Sequence, residues 1–148
     1  MIFTNFLVGL PLMMLCLVIQ VFVAHWCVTY YIGQVDKTTR GVFSGSLPLV
    51  IVMVAMMCGN FVQITLWGLL FVQLGEFADY YEAIYHSCVN FTSLGYGDVV
   101  MSKNWKLLGP LEAINGVLML GMTAASLMVV LQHMIRSRLE SAIKSTNA

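Results

Sequence analysis

Charge is what this sequence has least of: Asp, Glu, Lys and Arg make up 9% of its 148 residues, against roughly a quarter in soluble domains. With 59% hydrophobic residues and a mean hydropathy of +0.86, the composition is that of an integral membrane protein whose principal partner is the lipid bilayer. Seven basic and seven acidic side chains cancel, which removes the electrostatic footprint of a nucleic-acid binder. The four cysteines, Cys16, Cys27, Cys58 and Cys88, stand in apolar stretches without CxxC or Cys/His spacing. They read as packing residues rather than disulfide or metal positions. No nucleophile–base pair or ligand cluster is present to carry chemistry, so neither an enzyme nor a bound cofactor is expected. The N-terminal apolar run lacks the basic start of a signal peptide and continues far beyond a signal core; it reads as a transmembrane helix. That helix contains no Arg or Lys, which argues against a voltage sensor. There is no internal repeat and no low-complexity tract.

What is present is three long apolar stretches. Ile2 to Ile32 ends in Trp26, Tyr30 and Tyr31, aromatic residues suited to a membrane boundary. Leu47 to Leu74 carries Pro48 near its start, where a missing N–H costs little. Leu107 to Met134 stops at Arg136 and Arg138. Each exceeds the ~20 residues that span a bilayer. Between the second and third lies a different segment: acidic Glu76, Asp79 and Glu82, the short piece Ala83 to Thr92, then glycines. That piece is too short to cross as a helix. A short helix entering the membrane and a loop returning to the same side fits, since irregular backbone at that depth must line an aqueous path or be buried in protein. The expected organisation is an additional N-terminal transmembrane helix (1–33), a cytoplasmic loop (34–46), a two-helix unit with the intervening short helix (47–134) and a short cytoplasmic tail without a sensor domain (135–148).

Orientation follows from the basic residues. Placing Lys37, Arg40, Arg136, Arg138 and Lys144 together leaves only Lys103 and Lys106 on the opposite side, so the tail is expected in the cytoplasm, the N-terminus outside and the location to be the cell (inner or plasma) membrane. Glu76, Asp79, Glu82 and Asp98 then share the outer face, where they would concentrate cations.

The segment Phe91-Thr92-Ser93-Leu94-Gly95-Tyr96-Gly97-Asp98 is the most specific in the chain. A dehydrated cation needs a ring of oxygens, and successive backbone carbonyls supply it only if they all turn toward one axis. Alternating glycines open the backbone angles this requires. The segment, together with Trp105-Lys106-Leu107-Leu108-Gly109-Pro110-Leu111-Glu112-Ala113-Ile114-Asn115-Gly116-Val117-Leu118, resembles the pore module of the tetrameric potassium-channel superfamily over roughly Leu47 to Met134. The resemblance implies an all-α membrane protein: three transmembrane helices, a re-entrant pore helix and selectivity filter between the second and third, and a C4 homotetramer. It implies passive K⁺ conduction, with K⁺ at Ser93, Leu94, Gly95 and Tyr96 and with Gly97 completing the filter.

Against the family's Thr-Val-Gly-Tyr-Gly-Asp, Ser93 keeps the innermost hydroxyl and Leu94 keeps a carbonyl, its larger side chain expected to pack behind the filter. By the same resemblance Tyr85 would hydrogen-bond Asp98, His86 would reach the Tyr96 hydroxyl, and Gly116 would be the inner-helix hinge. Thr92 and Glu112 are expected to support the filter, Glu112 either ionised and holding Ser87 or Asn90 or else protonated, with a role in gating as the alternative to bracing. Titration of His86 near pH 6.5 would make current depend on external pH. Val117, Leu120, Ala124 and Met128 share a helical stripe that either faces the axis as an apolar gate or packs on a neighbouring helix. Gln20, Asn60 and Gln63 fall at one depth and are expected to hydrogen-bond between helices; His25 is expected to pack. Two other readings stay open: a weakly selective cation channel, and a non-conducting membrane assembly subunit.

Overall fold

A computed structural model describes residues 2–35 and 46–146. The loop carrying Asp36, Lys37 and Arg40 lies outside the described residues, as do the last two positions. Four helices follow in order: α1 (Ile2–Val35), α2 (Ser46–Gln73), α3 (Tyr80–Phe91) and α4 (Leu108–Thr146). No strand occurs among the described residues. Three of the helices hold spans long and apolar enough to cross a membrane: Ile2–Gln34, Leu47–Gln73 and Leu108–Ser137. These are the three apolar stretches of the sequence, and the short Ala83–Thr92 piece is the body of α3.

α1 and α4 run parallel. Near their first turns the Asn5 amide donates to the Asn104 carbonyl at 2.8 Å, and at their far ends Tyr31 meets His133 edge-to-face at 6.3 Å. The start of α1 and the loop before α4 therefore share one end of the molecule, as the charge distribution predicted. α2 runs the opposite way, with Cys27 against the Val52 carbonyl and Gly59 against Val23.

Midway, a layer of amides crosses the bundle. The Gln63 amide donates to Gln20 Oε1 at 2.7 Å, the Gln20 amide to Thr123 Oγ1 at 2.8 Å, and the Asn60 amide to the same hydroxyl at 3.2 Å. The sequence predicts the pairing of α1 with α2. Thr123 extends it to α4 and escapes notice in the sequence because its hydroxyl also satisfies the Met119 carbonyl one turn back, an ordinary role for a helical threonine. In hydrocarbon such bonds contribute about 0.6 kcal/mol each, and their value here is register: three helices are fixed at one depth.

Two apolar clusters flank that layer. One gathers Cys16, Ile64, Trp67, Phe71, Ala83, Phe91, Leu108, Leu111 and Met119 under α3, and the other joins Cys27, Tyr31, Val52, Met56 and Val130 at the opposite end. Leu7, Phe22, Trp26, Phe61 and Val62 are exposed, as expected of helix faces turned to lipid. His25 is exposed too, so it does not take the packing role predicted for it. Cys16 and Cys27 are buried, but Cys58 is exposed. α4 continues unbroken past the apolar stretch to Thr146, with no glycine or proline among the residues from Arg136 to Thr146 to stop it.

Candidate functional site: the segment between α3 and α4

α3 begins where Asp79 takes extended backbone angles and its carboxylate accepts the Tyr81 N–H at 3.3 Å, an N-cap reinforced by Glu82 in the first turn. It ends at Thr92, whose N–H and hydroxyl both reach the Cys88 carbonyl, at 3.1 and 2.7 Å. Thr92 thus closes the helix from which the glycine segment departs.

Beyond Thr92 the backbone alternates. Ser93, Gly95 and Gly97 have φ of 58°, 60° and 73°, a left-handed conformation at every second residue. Glycine enters it freely, whereas for serine it costs ~1–2 kcal/mol. The sequence marks Gly95 and Gly97 for this geometry; Ser93 joins them without a signal of its own. Two consecutive amides point back at the helix: Leu94 N–H and Gly95 N–H both donate to the Val89 carbonyl, at 2.9 and 3.3 Å. No peptide bond here is cis, and in a trans peptide the carbonyl points opposite the N–H. The Ser93 and Leu94 carbonyls consequently face away from α3, in the same direction.

The return loop is pinned from several elements. Tyr85 Oη donates to Asp98 Oδ2 at 2.6 Å, as the resemblance predicted. Their bond holds the Asp98 carboxyl below its usual range and pushes the Tyr85 phenol up to about 12. Glu76, one of the acidic residues expected at the outer face, accepts the Ser102 N–H at 2.6 Å and its hydroxyl at 2.7 Å. With the Asn5–Asn104 bond, the loop is anchored at residues 98, 102 and 104.

His86 departs from expectation. It does not reach the Tyr96 hydroxyl: its Nδ1 lies 3.0 Å from the Val99 carbonyl and its Nε2 2.8 Å from the Asn90 amide nitrogen. A carbonyl only accepts and an amide NH₂ only donates, so the ring is neutral, protonated on Nδ1. Phe71 and Phe77 enclose it, with ring centroids at 5.6 and 5.1 Å. Burial lowers its pKa from the usual 6.5, partly opposed by the bond to Val99. Tyr96 is instead 68% exposed and Leu94 56% exposed; within one chain, Leu94 does not pack behind the segment as predicted. Behind it, a cavity of about 160 Å³ is bounded by His86, Asn90, Gly95, Gly97, Val99 and Gly109.

On the helix side, the fully buried Glu112 of α4 contacts the Ser87 hydroxyl, one of the two partners predicted for it. Gly116, one turn further, touches the end of α3. A Cβ there would stand 1.9 Å from the Phe91 carbonyl oxygen, so glycine is required by close approach. α4 is continuous through that point. Val117, Leu120, Ala124 and Met128 are all exposed, left uncovered by the chain's own helices. Asn115 is buried, turned away from that stripe.

A family described as ion channel matches residues 49–133, nearly all of α2, the whole of α3 and the intervening segment, and most of α4. The chain belongs to this ion-channel family. The match covers the residues that carry the resemblance to a K⁺-channel superfamily pore module, and α1 lies outside it. No curated protein and no solved structure matches the chain. Membership accounts for the placement of the only long irregular stretch among the described residues, which stands between α3 and α4 at the heart of the matched module.

Proposed function

We propose that the chain is the subunit of a passive potassium channel in the cell membrane, a homotetramer in which Ser93, Leu94, Gly95, Tyr96 and Gly97 form the selectivity filter. One observation carries the reading: left-handed angles at alternate residues 93, 95 and 97, with the Leu94 and Gly95 amides turned back onto Val89. That backbone leaves consecutive carbonyls free to replace the water around a cation. A single strand cannot surround an ion, and four around a closed axis can. The exposure of Leu94 and Tyr96 supports an assembly in which neighbouring subunits cover them. α3 would be the re-entrant pore helix, its partially negative C-terminal end aimed at the cation path. Tyr85, His86, Thr92, Asp98 and Glu112 would support the filter. The stripe of Val117, Leu120, Ala124 and Met128 would line the inner pore and close it by dewetting, next to Gly116. In this orientation the N-terminus is outside and the tail of α4 is in the cytoplasm.

The test is K⁺ flux from liposomes loaded with purified protein, beside Gly95→Ala. The substitution meets no atom within 4 Å, but the φ of +60° disfavours any Cβ, so flux through this segment is expected to vanish while the protein still assembles. Equal flux in both would refute the reading. Ser93 and Leu94 favour one variant of it, weak discrimination of K⁺ from Na⁺, which bi-ionic reversal potentials measure directly.

A further inference from the structure

Ser87 Oγ lies 2.7 Å from the carbonyl oxygen of Ile64 on α2 and also contacts Glu112 Oε1 on α4. A hydroxyl has a single proton to donate. With Glu112 fully buried and no cation paired with it among the described residues, the proton is assigned to the Ile64 carbonyl, which can only accept. Ser87 Oγ can then meet Glu112 only as an acceptor. The bond between two oxygens needs a hydrogen, and the remaining source is the carboxyl itself.

Its surroundings agree. Glu112 is 0% exposed and its Oε2 has no hydrogen-bond partner. The groups facing it are the Ser87 hydroxyl, the Asn90 amide and Cys88 on α3, and Cys16 on α1. No Lys, Arg or His pairs with it among the described residues. An ionised carboxylate there would leave a charge uncompensated beside an orphaned oxygen, an arrangement proteins avoid.

We infer that Glu112 is held as the neutral carboxylic acid and donates its proton to Ser87, completing a directed chain from α4 through the pore helix to α2. Glu112 is then a positioning residue whose proton is structural: it fixes α3 laterally at Ser87, about one and a half turns before the segment that leaves at Thr92. The functional part of the inference rests on the channel reading above; the protonation state does not.

The experiment joins infrared spectroscopy and flux on purified full-length protein in liposomes. Wild type is expected to give the C=O stretch of a buried protonated carboxyl at neutral pH, lost in Glu112→Gln. Absence of that band, with an ionised carboxylate band lost instead, overturns the proposal whether or not the protein conducts. Gln keeps an N–H donor for Ser87, so Glu112→Gln is expected to retain K⁺ flux, while Glu112→Leu and Ser87→Ala lower it about tenfold, the effect of one lost hydrogen bond. Should Glu112→Leu not assemble, Ser87→Ala carries the comparison. Flux that survives Glu112→Leu or Ser87→Ala as well as Glu112→Gln would overturn the positioning role.

Discussion

Replacing Gly116 with alanine is the sharpest perturbation available. The added methyl would lie 1.9 Å from the Phe91 carbonyl oxygen, 2.6 Å from its carbonyl carbon and 2.8 Å from its Cα. All three are backbone atoms, so no side-chain rotation relieves the contact. Reaching the 3.0–3.4 Å of tight Cβ contacts requires α4 and the end of α3 to separate by roughly 1 Å or more. Overpacking of this kind costs ~1–3 kcal/mol. The displacement also propagates, because Glu112 lies one turn earlier on the same helix face and its contact with Ser87 tolerates little stretch. Losing that bond adds ~1 kcal/mol. Gly116→Ala is therefore expected to lower thermal stability of the assembled protein and reduce liposome K⁺ flux at least tenfold. Gly121→Ala, where nothing lies within 4 Å, is expected to do neither. A Gly116→Ala protein that melts and conducts like wild type would refute the close-approach argument. Normal melting with altered opening alone would instead favour the hinge expected from the sequence.

Four further outcomes are expected. Ser93→Gly relieves a left-handed serine and raises thermal stability by ~1 kcal/mol, yet slows K⁺ flux through loss of the hydroxyl, two readouts moving in opposite directions. Leu120→Ser, on the uncovered stripe of α4, increases basal flux in a liposome assay; unchanged flux would count against an apolar constriction there. Tyr85→Phe removes the main cause of the low Asp98 pKa, so that carboxyl titrates at higher pH by NMR. Because a depressed carboxyl stabilises the fold above its unfolded value of ~3.9 and ceases to do so as pH falls through its folded value, the wild-type loop loosens only in strong acid and the variant earlier. His86 has a lowered pKa, so its neutral form favours the fold above the unfolded value of ~6.5 and protonation below that opposes it. Flux is expected to be level from pH 8 to 6.5 and to fall in more acidic solution, with Nε2–H then confronting the Asn90 amide; a flat profile to pH 5 would end the idea.

The spans of α1, α2 and α4 were legible because hydrophobic runs of that length leave few alternatives, and α3 because the ten residues Ala83 to Thr92 are too few to cross. Tyr85–Asp98 and Gln20–Gln63 were legible as well, the first through resemblance and the second through shared depth. What escaped were the contacts that depend on the path of the return loop. His86 turns to Val99 and Glu76 to Ser102 because backbone groups, which have no sequence signature, offered themselves first. The apolar stretch that ends near Met134 marks a membrane boundary, while helical backbone carries on through it to Thr146.

α1 lies outside the matched module, yet it is joined to α4 at three depths, by Gly9 close against Leu108 and Leu111, by Gln20 on Thr123 and by Tyr31 on His133. Its outer side, with Phe3, Leu7 and Phe22 exposed, meets the acyl chains. Two parallel rods bolted at both ends and the middle tilt as one. α1 is also tied to α2 by the Gln63–Gln20 bond, so a lateral load on α1 is shared by both helices, one of which bears the Val117–Met128 stripe.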